Sequence, residues 1–184
     1  MRAGKPVVLP TDTVYGLCAD ARQQEAVGRL YRLKGRKDVQ PTAVVAADEA
    51  AVVEALPELR GQRLLPGPYT LILPNPAGRF SWLTGERPQT IGVRLPDLPA
   101  HAAAVVRQIG VVAATSANLA GGPDPRTVDE IPAEIRAGCA AVLDAGELPG
   151  TPSTVIDLTG SEPEVLREGV VSASQALERL RATV

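Results

Sequence analysis

Four short stretches of this 184-residue chain carry polar side chains at spacings that could do chemistry. Pro10-Thr11-Asp12-Thr13-Val14-Tyr15-Gly16-Leu17 follows an apolar run and places three small polar side chains in a turn. They can grip a polar ligand, or an Asx-type turn can satisfy only its own backbone. Lys34-Gly35-Arg36-Lys37 ends an amphipathic pattern. Cations there stabilise a helix C-terminus, and Gly35 also lets the chain turn so that Lys34 and Arg36 aim the same way, as a polyphosphate requires. Thr115-Ser116-Ala117-Asn118 follows a Val-rich run, and Ser116 and Asn118 share a side if extended. A Ser116 nucleophile lacks a Gly-x-Ser-x-Gly elbow and a following His, so a hydrogen-bonding pair for substrate fits better. Ser153-Thr154 opens another run, with Arg167 downstream. Arg94 ends a Val-Leu stretch, where a guanidinium needs a buried partner or a ligand anion.

Other chemistries find little support. The chain has neither a Gly-x-x-x-x-Gly-Lys-Ser/Thr nor a Gly-x-Gly-x-x-Gly cradle, so any nucleotide is held differently. Cys18 and Cys139 are isolated from other ligands and read as buried reduced thiols. The lone His101 lies in an Ala-rich helical stretch and reads as a surface or partly buried side chain. A net charge of −2 restricts anion binding to local clusters, because proteins that coat nucleic acid are usually basic overall. Residues 6–13 turn polar too soon for a signal peptide, and no apolar run reaches membrane-spanning length, so a cytoplasmic enzyme is expected.

These side chains must be held by elements, and the pattern supplies them. With 45% hydrophobic and 22% charged residues the composition is globular, and 3% aromatics leave the core to Ala, Val, Leu and Ile. Seventeen Gly and seventeen Pro imply many tight turns. Apolar runs predict strands over 6–9, 42–47, 69–73, 90–95 and 111–114, with shorter ones at 141–143, 154–158 and 165–166. Ala26, Val27, Leu30, Tyr31 and Leu33 mark one helix. Asp48 caps a second through Leu56, and 99–109 reads as a third. Thr127 with Glu130 predicts a capping box for a helix to about Ala137, and Ser172 with Gln175 another to about Arg181. Strands alternating with helices, no long linker and no repeat predict one α/β (α+β) sheet domain over residues 1–184.

Taken in order, the polar segments resemble the YrdC/TsaC family, the threonylcarbamoyl-AMP synthases. The stretch 10–17 is similar to the family's Pro-Thr-Asp/Glu-Thr-x-Tyr/Phe-Gly opening. Lys34-x-Arg36 and Ser116-x-Asn118 match its Lys-x-Arg and Ser-x-Asn pairs, and Pro66-Gly67-Pro68-Tyr69-Thr70 matches its Pro-Gly-Pro-x-Thr. Val93-Arg94-Leu95-Pro96-Asp97 and Ser153-Thr154-Val155-Ile156-Asp157 match as well.

The resemblance implies a YrdC-like twisted open mixed sheet with a concave ligand-binding face. It implies L-threonine, bicarbonate or CO2, and ATP as substrates, with Mg2+ carried on the ATP phosphates and no protein metal site. The product would be threonylcarbamoyl-AMP for modifying adenosine next to the tRNA anticodon, passed to downstream threonylcarbamoyl-transfer proteins. By the same resemblance Thr13, Arg94, Ser116 and Ser153 would contact threonine, with Arg94 on its carboxylate. Lys34, Arg36, Thr90, Asn118, Arg126 and Arg167 would contact ATP, and Lys34, Arg36, Ser116 and Asn118 would carry catalysis. Direct contact with tRNA or other RNA is a further expectation. The chain departs from the family at Lys37, Gln40, Val45 and Leu98, and the helix before the first strand is nearly absent. It looks like the short, single-domain form. The alternatives are a double-stranded RNA-binding module, against which the charge balance argues, and a same-fold relative with another carbamoyl or nucleotide reaction.

Overall fold

The computed structural model describes residues 1–36 and 40–182. Lys37, one of the departures noted above, lies outside them. Eight strands form one open mixed sheet: β1 (Val7–Pro10), β2 (Tyr15–Asp20), β3 (Ala43–Ala46), β4 (Tyr69–Pro74), β5 (Thr90–Arg94), β6 (Val111–Ser116), β7 (Thr154–Asp157) and β8 (Glu164–Arg167). Their spatial order is β1-β2-β6-β3-β5-β4-β7-β8. Only β3/β5 and β4/β7 pair in parallel. Five helices pack on the sheet: α1 (Gln24–Lys34), α2 (Glu49–Ala55), α3 (Ala100–Ile109), α4 (Ala133–Gly138) and α5 (Ala173–Ala182).

Side chains alternate across a strand, so each strand feeds two cores. Val8, Leu17, Ala19, Val44, Ala46, Val111 and Ala113 join the larger core, with Val27 and Leu30 of α1, Val52 of α2, Ile135 of α4 and Leu180 of α5. Their neighbours Val7, Leu9, Cys18, Val45 and Val112 face the other way and pack on Ala102 and Val106 of α3. That second face is only partly roofed. Where α3 ends, the same alternation continues through Gly16, Ala43, Gly92 and Ala114, residues too small to fill space, and a cleft remains.

Most elements match the sequence pattern, and three differ. β2 is not foreseen, because Thr11, Asp12, Thr13 and Gly16 disguise a strand that is nevertheless almost wholly buried. Residues 141–143 form no strand; they make a single parallel bridge, Val8 to Val142, flanked by Val8 N–H to Ala141 O (3.0 Å) and Leu143 N–H to Val8 O (3.0 Å). Thr127 and Glu130 form no capping box. Glu130 Oε2 instead accepts from the backbone N–H of Arg126 (2.6 Å), and α4 begins after Pro132. By contrast, Asp48 accepts from Ala51 N–H (2.9 Å) at the start of α2. Ser172 and Gln175 exchange the reciprocal bonds of a capping box before α5.

Tyr15 anchors the segment after the 141–143 bridge to β2. Its fully buried hydroxyl lies 2.8 Å from Asp144 Oδ1 and 2.7 Å from Gly146 O, and it accepts from Ala145 N–H (3.0 Å). The Gly146 N–H and the Tyr15 hydroxyl hold the Asp144 carboxyl below its ordinary value. Tyr15→Phe is therefore expected to cost about 1 kcal/mol, the net worth of the hydroxyl's bonds, because the groups it leaves behind on the exposed 144–146 segment can turn to water. Urea denaturation of the variant checks this, and an unchanged midpoint would show the hydroxyl to be idle.

Candidate functional site

The cleft on the partly roofed sheet face encloses about 370 Å³. Among the described residues four guanidinium groups line it, those of Arg36, Arg87, Arg94 and Arg167, with one carboxylate, Asp124. Thr13, Thr90, Ser116 and Ser153 also line it, so these four predicted residues share one cavity with Arg36, Arg94 and Arg167. Lys34 and Asn118 lie behind its wall.

Helical period explains the position of Lys34. It ends the buried stripe Ala26, Val27, Leu30 and Tyr31 of α1, so its side chain runs inward. Its ammonium donates to Ser116 O (2.7 Å), Asn118 O (3.0 Å) and Asn118 Oδ1. Ser116 Oγ donates to the same Asn118 Oδ1 (2.6 Å), and Asn118 Nδ2 donates to Gly122 O. The Ser-x-Asn pair is thus tied to the lysine, with Ser116 on the cleft wall. Burial, followed by the neighbouring Arg36 charge, lowers the Lys34 ammonium from 10.5 to about 8, against the pull of Asp124.

Gly35 adopts a left-handed conformation (φ 65°), and the Gly35 and Arg36 N–H groups bond back to Arg32 O and Tyr31 O. This Schellman turn ends α1 and swings Arg36 into the cleft. Arg36 donates to Thr115 Oγ1 (3.2 Å) and Pro41 O and lies 5.7 Å from the Tyr31 ring centroid. Its Nε is buried with no partner, and burial lowers its pKa. Arg94, at the end of β5, donates through Nη2 to Asp12 Oδ1 and to Thr13 Oγ1 (2.8 Å), and its buried Nε is also unpaired. Burial raises the Asp12 carboxyl against the opposing charge of Arg94. In the 11–14 turn it is Thr11, not Asp12, that satisfies the backbone, accepting from Thr13 N–H (3.2 Å) and Val14 N–H (3.3 Å).

At the far wall Ser153 Oγ contacts Thr70 Oγ1 (2.8 Å), and Arg167 donates to Ser153 O (2.8 Å). Thr90 donates to Arg87 O (3.1 Å), while both terminal nitrogens of Arg87 reach Asp157 Oδ2 (3.0 Å). Arg126 stands apart, outside the cleft and paired with Glu147. Sequence reasoning missed Arg87, Thr70 and Asp124 as lining residues. Thr70 sits in a motif already singled out, but nothing in the loop around Arg87 signals a partner 70 residues away. Val45 lines the cleft, whereas Gln40 and Leu98 do not. Cys18 is buried, with its thiol raised by burial to about 12, and Cys139 is half-buried and raised to about 11. Among the described residues no group of three His, Cys, Asp or Glu could cage a metal ion.

The depressed pKa of Lys34 predicts a pH signature. Between about pH 8 and 10.5 the unfolded chain holds a proton that the folded protein has released, so this group makes stability rise with pH. Below about 8 the cost of the buried charge is fully present. The stability difference between wild type and Lys34→Met should therefore grow in favour of wild type across that window, by on the order of 2 kcal/mol. Urea denaturation at successive pH values measures it, and a flat difference would show that burial does not disfavour the ammonium.

Known proteins are similar to this chain in sequence and fold. A profile of the Sua5/YciO/YrdC family, described as "Telomere recombination", matches residues 1–169. A Shigella boydii protein named threonylcarbamoyl-AMP synthase is 36% identical over 175 residues, covering 89% of this chain and 88% of its own. The Bacillus subtilis protein of the same name is 34% identical over 95% of this chain, which spans about half (53%) of that relative's length. The structure of Pyrococcus abyssi Sua5 complexed with L-threonine superposes with a TM-score of 0.79 at 32% identity, covering all of this chain and 54% of that one. With a family profile spanning most of its length and relatives above 30% identity over nearly all of it, the chain belongs to the Sua5/YciO/YrdC family.

Proposed function

We propose that this chain is an L-threonylcarbamoyl-AMP synthase, forming threonylcarbamoyl-AMP and pyrophosphate from L-threonine, bicarbonate or CO2, and ATP. The observation that carries the reading is the cleft itself. It gathers four guanidiniums and several hydroxyls around about 370 Å³, in a family whose relatives bear that activity in their names. The threonine amine would attack CO2 to give a carbamate. A carbamate oxygen would then attack the α-phosphorus as the bond to pyrophosphate breaks. Both steps need reactants held close and negative charge neutralised.

In this reading Arg94 takes the threonine carboxylate, and Thr13, Ser116 and Ser153 orient the rest of the amino acid. Tethering by Asp12 and Thr13 fixes the Arg94 fork before substrate arrives. Arg36, Thr90 and Arg167 face the nucleotide from other walls of the same cleft. Lys34 and Asn118 act by holding Ser116, and the Lys34 ammonium adds positive potential behind it. Arg126 would reach a nucleotide only by leaving Glu147. Mg2+ would bind chiefly through the ATP phosphates, neutralising them, since among the described residues the cleft offers it a single carboxylate. The 184 residues would work as one unit in the cytoplasm, contacting tRNA or handing the adenylate to downstream transfer proteins. No helix among the described residues is long and apolar enough to cross a membrane.

Pyrophosphate release from ATP should require threonine and bicarbonate together, and equal release with threonine omitted would sink the reading. Arg36→Ala should lower turnover by roughly 30- to 1,000-fold, equivalent to about 2–4 kcal/mol of lost transition-state stabilisation. Its melting temperature should fall only slightly, because the side chain lies in a half-buried turn. Arg36→Lys should recover only part, since an ammonium cannot reproduce the planar fork. Near-normal kinetics in Arg36→Ala would remove Arg36 from the site.

A further inference from the structure

Among the charged groups lining the cleft, Asp124 stands alone. Each guanidinium there already has an acceptor inside the protein: Thr115 and Pro41 for Arg36, Asp157 for Arg87, Asp12 for Arg94, and Ser153 for Arg167. Among the described residues Asp124 has no hydrogen bond and no ion pair, and it acts only through its electrostatic pull on Lys34 behind the wall.

Its backbone is nonetheless restrained on both sides. Pro123 and Pro125 flank it, and a residue before proline is biased away from helical toward extended conformations. On one side Gly122 is pinned by its N–H to Leu119 O (2.9 Å) and by Asn118 Nδ2 on its carbonyl. On the other, Pro125 O accepts from Tyr15 N–H (3.2 Å), at the start of β2. A half-buried carboxylate therefore lines the same cleft as Arg36 and Ser116 without a hydrogen-bond or ion-pair partner among the described residues.

If this cleft takes a nucleoside triphosphate, as proposed above, a bare carboxylate there would repel it unless a cation lies between them. Mg2+ meets that demand. It keeps several waters and is commonly held by one or two carboxylates together with substrate phosphates. We infer that Asp124 is the protein's own ligand for Mg2+ on the bound triphosphate, directly or through a coordinated water. The inference rests on the nucleotide reading of the site and adds to it a metal contact that the composition of the cleft does not otherwise provide.

A binding cycle tests it without reference to turnover. Calorimetry measures ATP affinity with Mg2+ and with EDTA, for the wild-type chain and for Asp124→Asn, each checked by thermal melt. The wild type should bind ATP more tightly with Mg2+. Asp124→Asn should lose most of that gain, about tenfold, while binding metal-free ATP at least as well as wild type because a repulsive charge is gone. If Asp124 served only to support the Lys34 charge, the substitution would change both affinities by the same factor, and that result overturns the inference. An unchanged Mg2+ gain overturns it too. Should Asp124→Asn melt early, Asp124→Ser takes its place in the same cycle. Failure of the wild type to bind ATP under either condition would instead refute the nucleotide reading itself.

Discussion

Lys34 is a cation placed by helical geometry where only apolar groups would otherwise go. It closes the buried stripe of α1, and stripping water from an ammonium is costly unless its three donors find acceptors. Ser116 O, Asn118 O and Asn118 Oδ1 supply them, and the Lys34 carbonyl in turn accepts from Ala120 N–H (2.9 Å). The chain leaving β6 must therefore bend round the end of α1. That bend sets Ser116 on the cleft wall, carries the chain through the Gly122 contact, and leads to the Pro123-Asp124-Pro125 segment. The Schellman turn that follows Lys34 sends Arg36 to the same wall. One buried charge thus organises one whole side of the site.

The opposite side is built on a different principle. Alternation along β4, β5 and β7 aims Thr70, Thr90, Arg94 and Val155 at the open face, while Leu71, Ile91, Val93 and Ile156 fill the larger core. Arg94 can sit on that face because Asp12 and Thr13 receive it, and Arg167 because the Ser153 carbonyl does. Such tethering restrains each fork before a ligand arrives, and it leaves donor capacity unused: Nε of both Arg36 and Arg94 is buried without a partner. Preorganised, under-satisfied cations are what anion binding in a partly desolvated cleft requires. The thin floor of Gly16, Ala43, Gly92 and Ala114 makes the room, since a larger side chain at any of them would project into the space a ligand needs.

Local pattern alone carried a good deal. The apolar runs of β1, β3, β4, β5, β6 and β7, the amphipathic stripe of α1 and the caps at Asp48 and Ser172 are written in residue type and spacing, because burial and capping act within a few residues. So are the polar clusters at the ends of those strands, including Arg94, Ser116 and Ser153, and Arg36 at the end of α1. Tertiary contacts decided the rest. β2 exists because β1 and β6 flank it on both sides, which outweighs its glycine and the polar turn before it. Glu130 accepts from the backbone N–H of Arg126, ahead of the helix that its spacing from Thr127 predicted it would cap. Lys34 meets Ser116 and Arg94 meets Asp12 across 82 positions of sequence, and Arg87 meets Asp157 across 70. A charge of this kind looks solvated in the sequence. Whether it is buried, tethered or left facing a cleft depends on which distant strand the sheet order brings beside it.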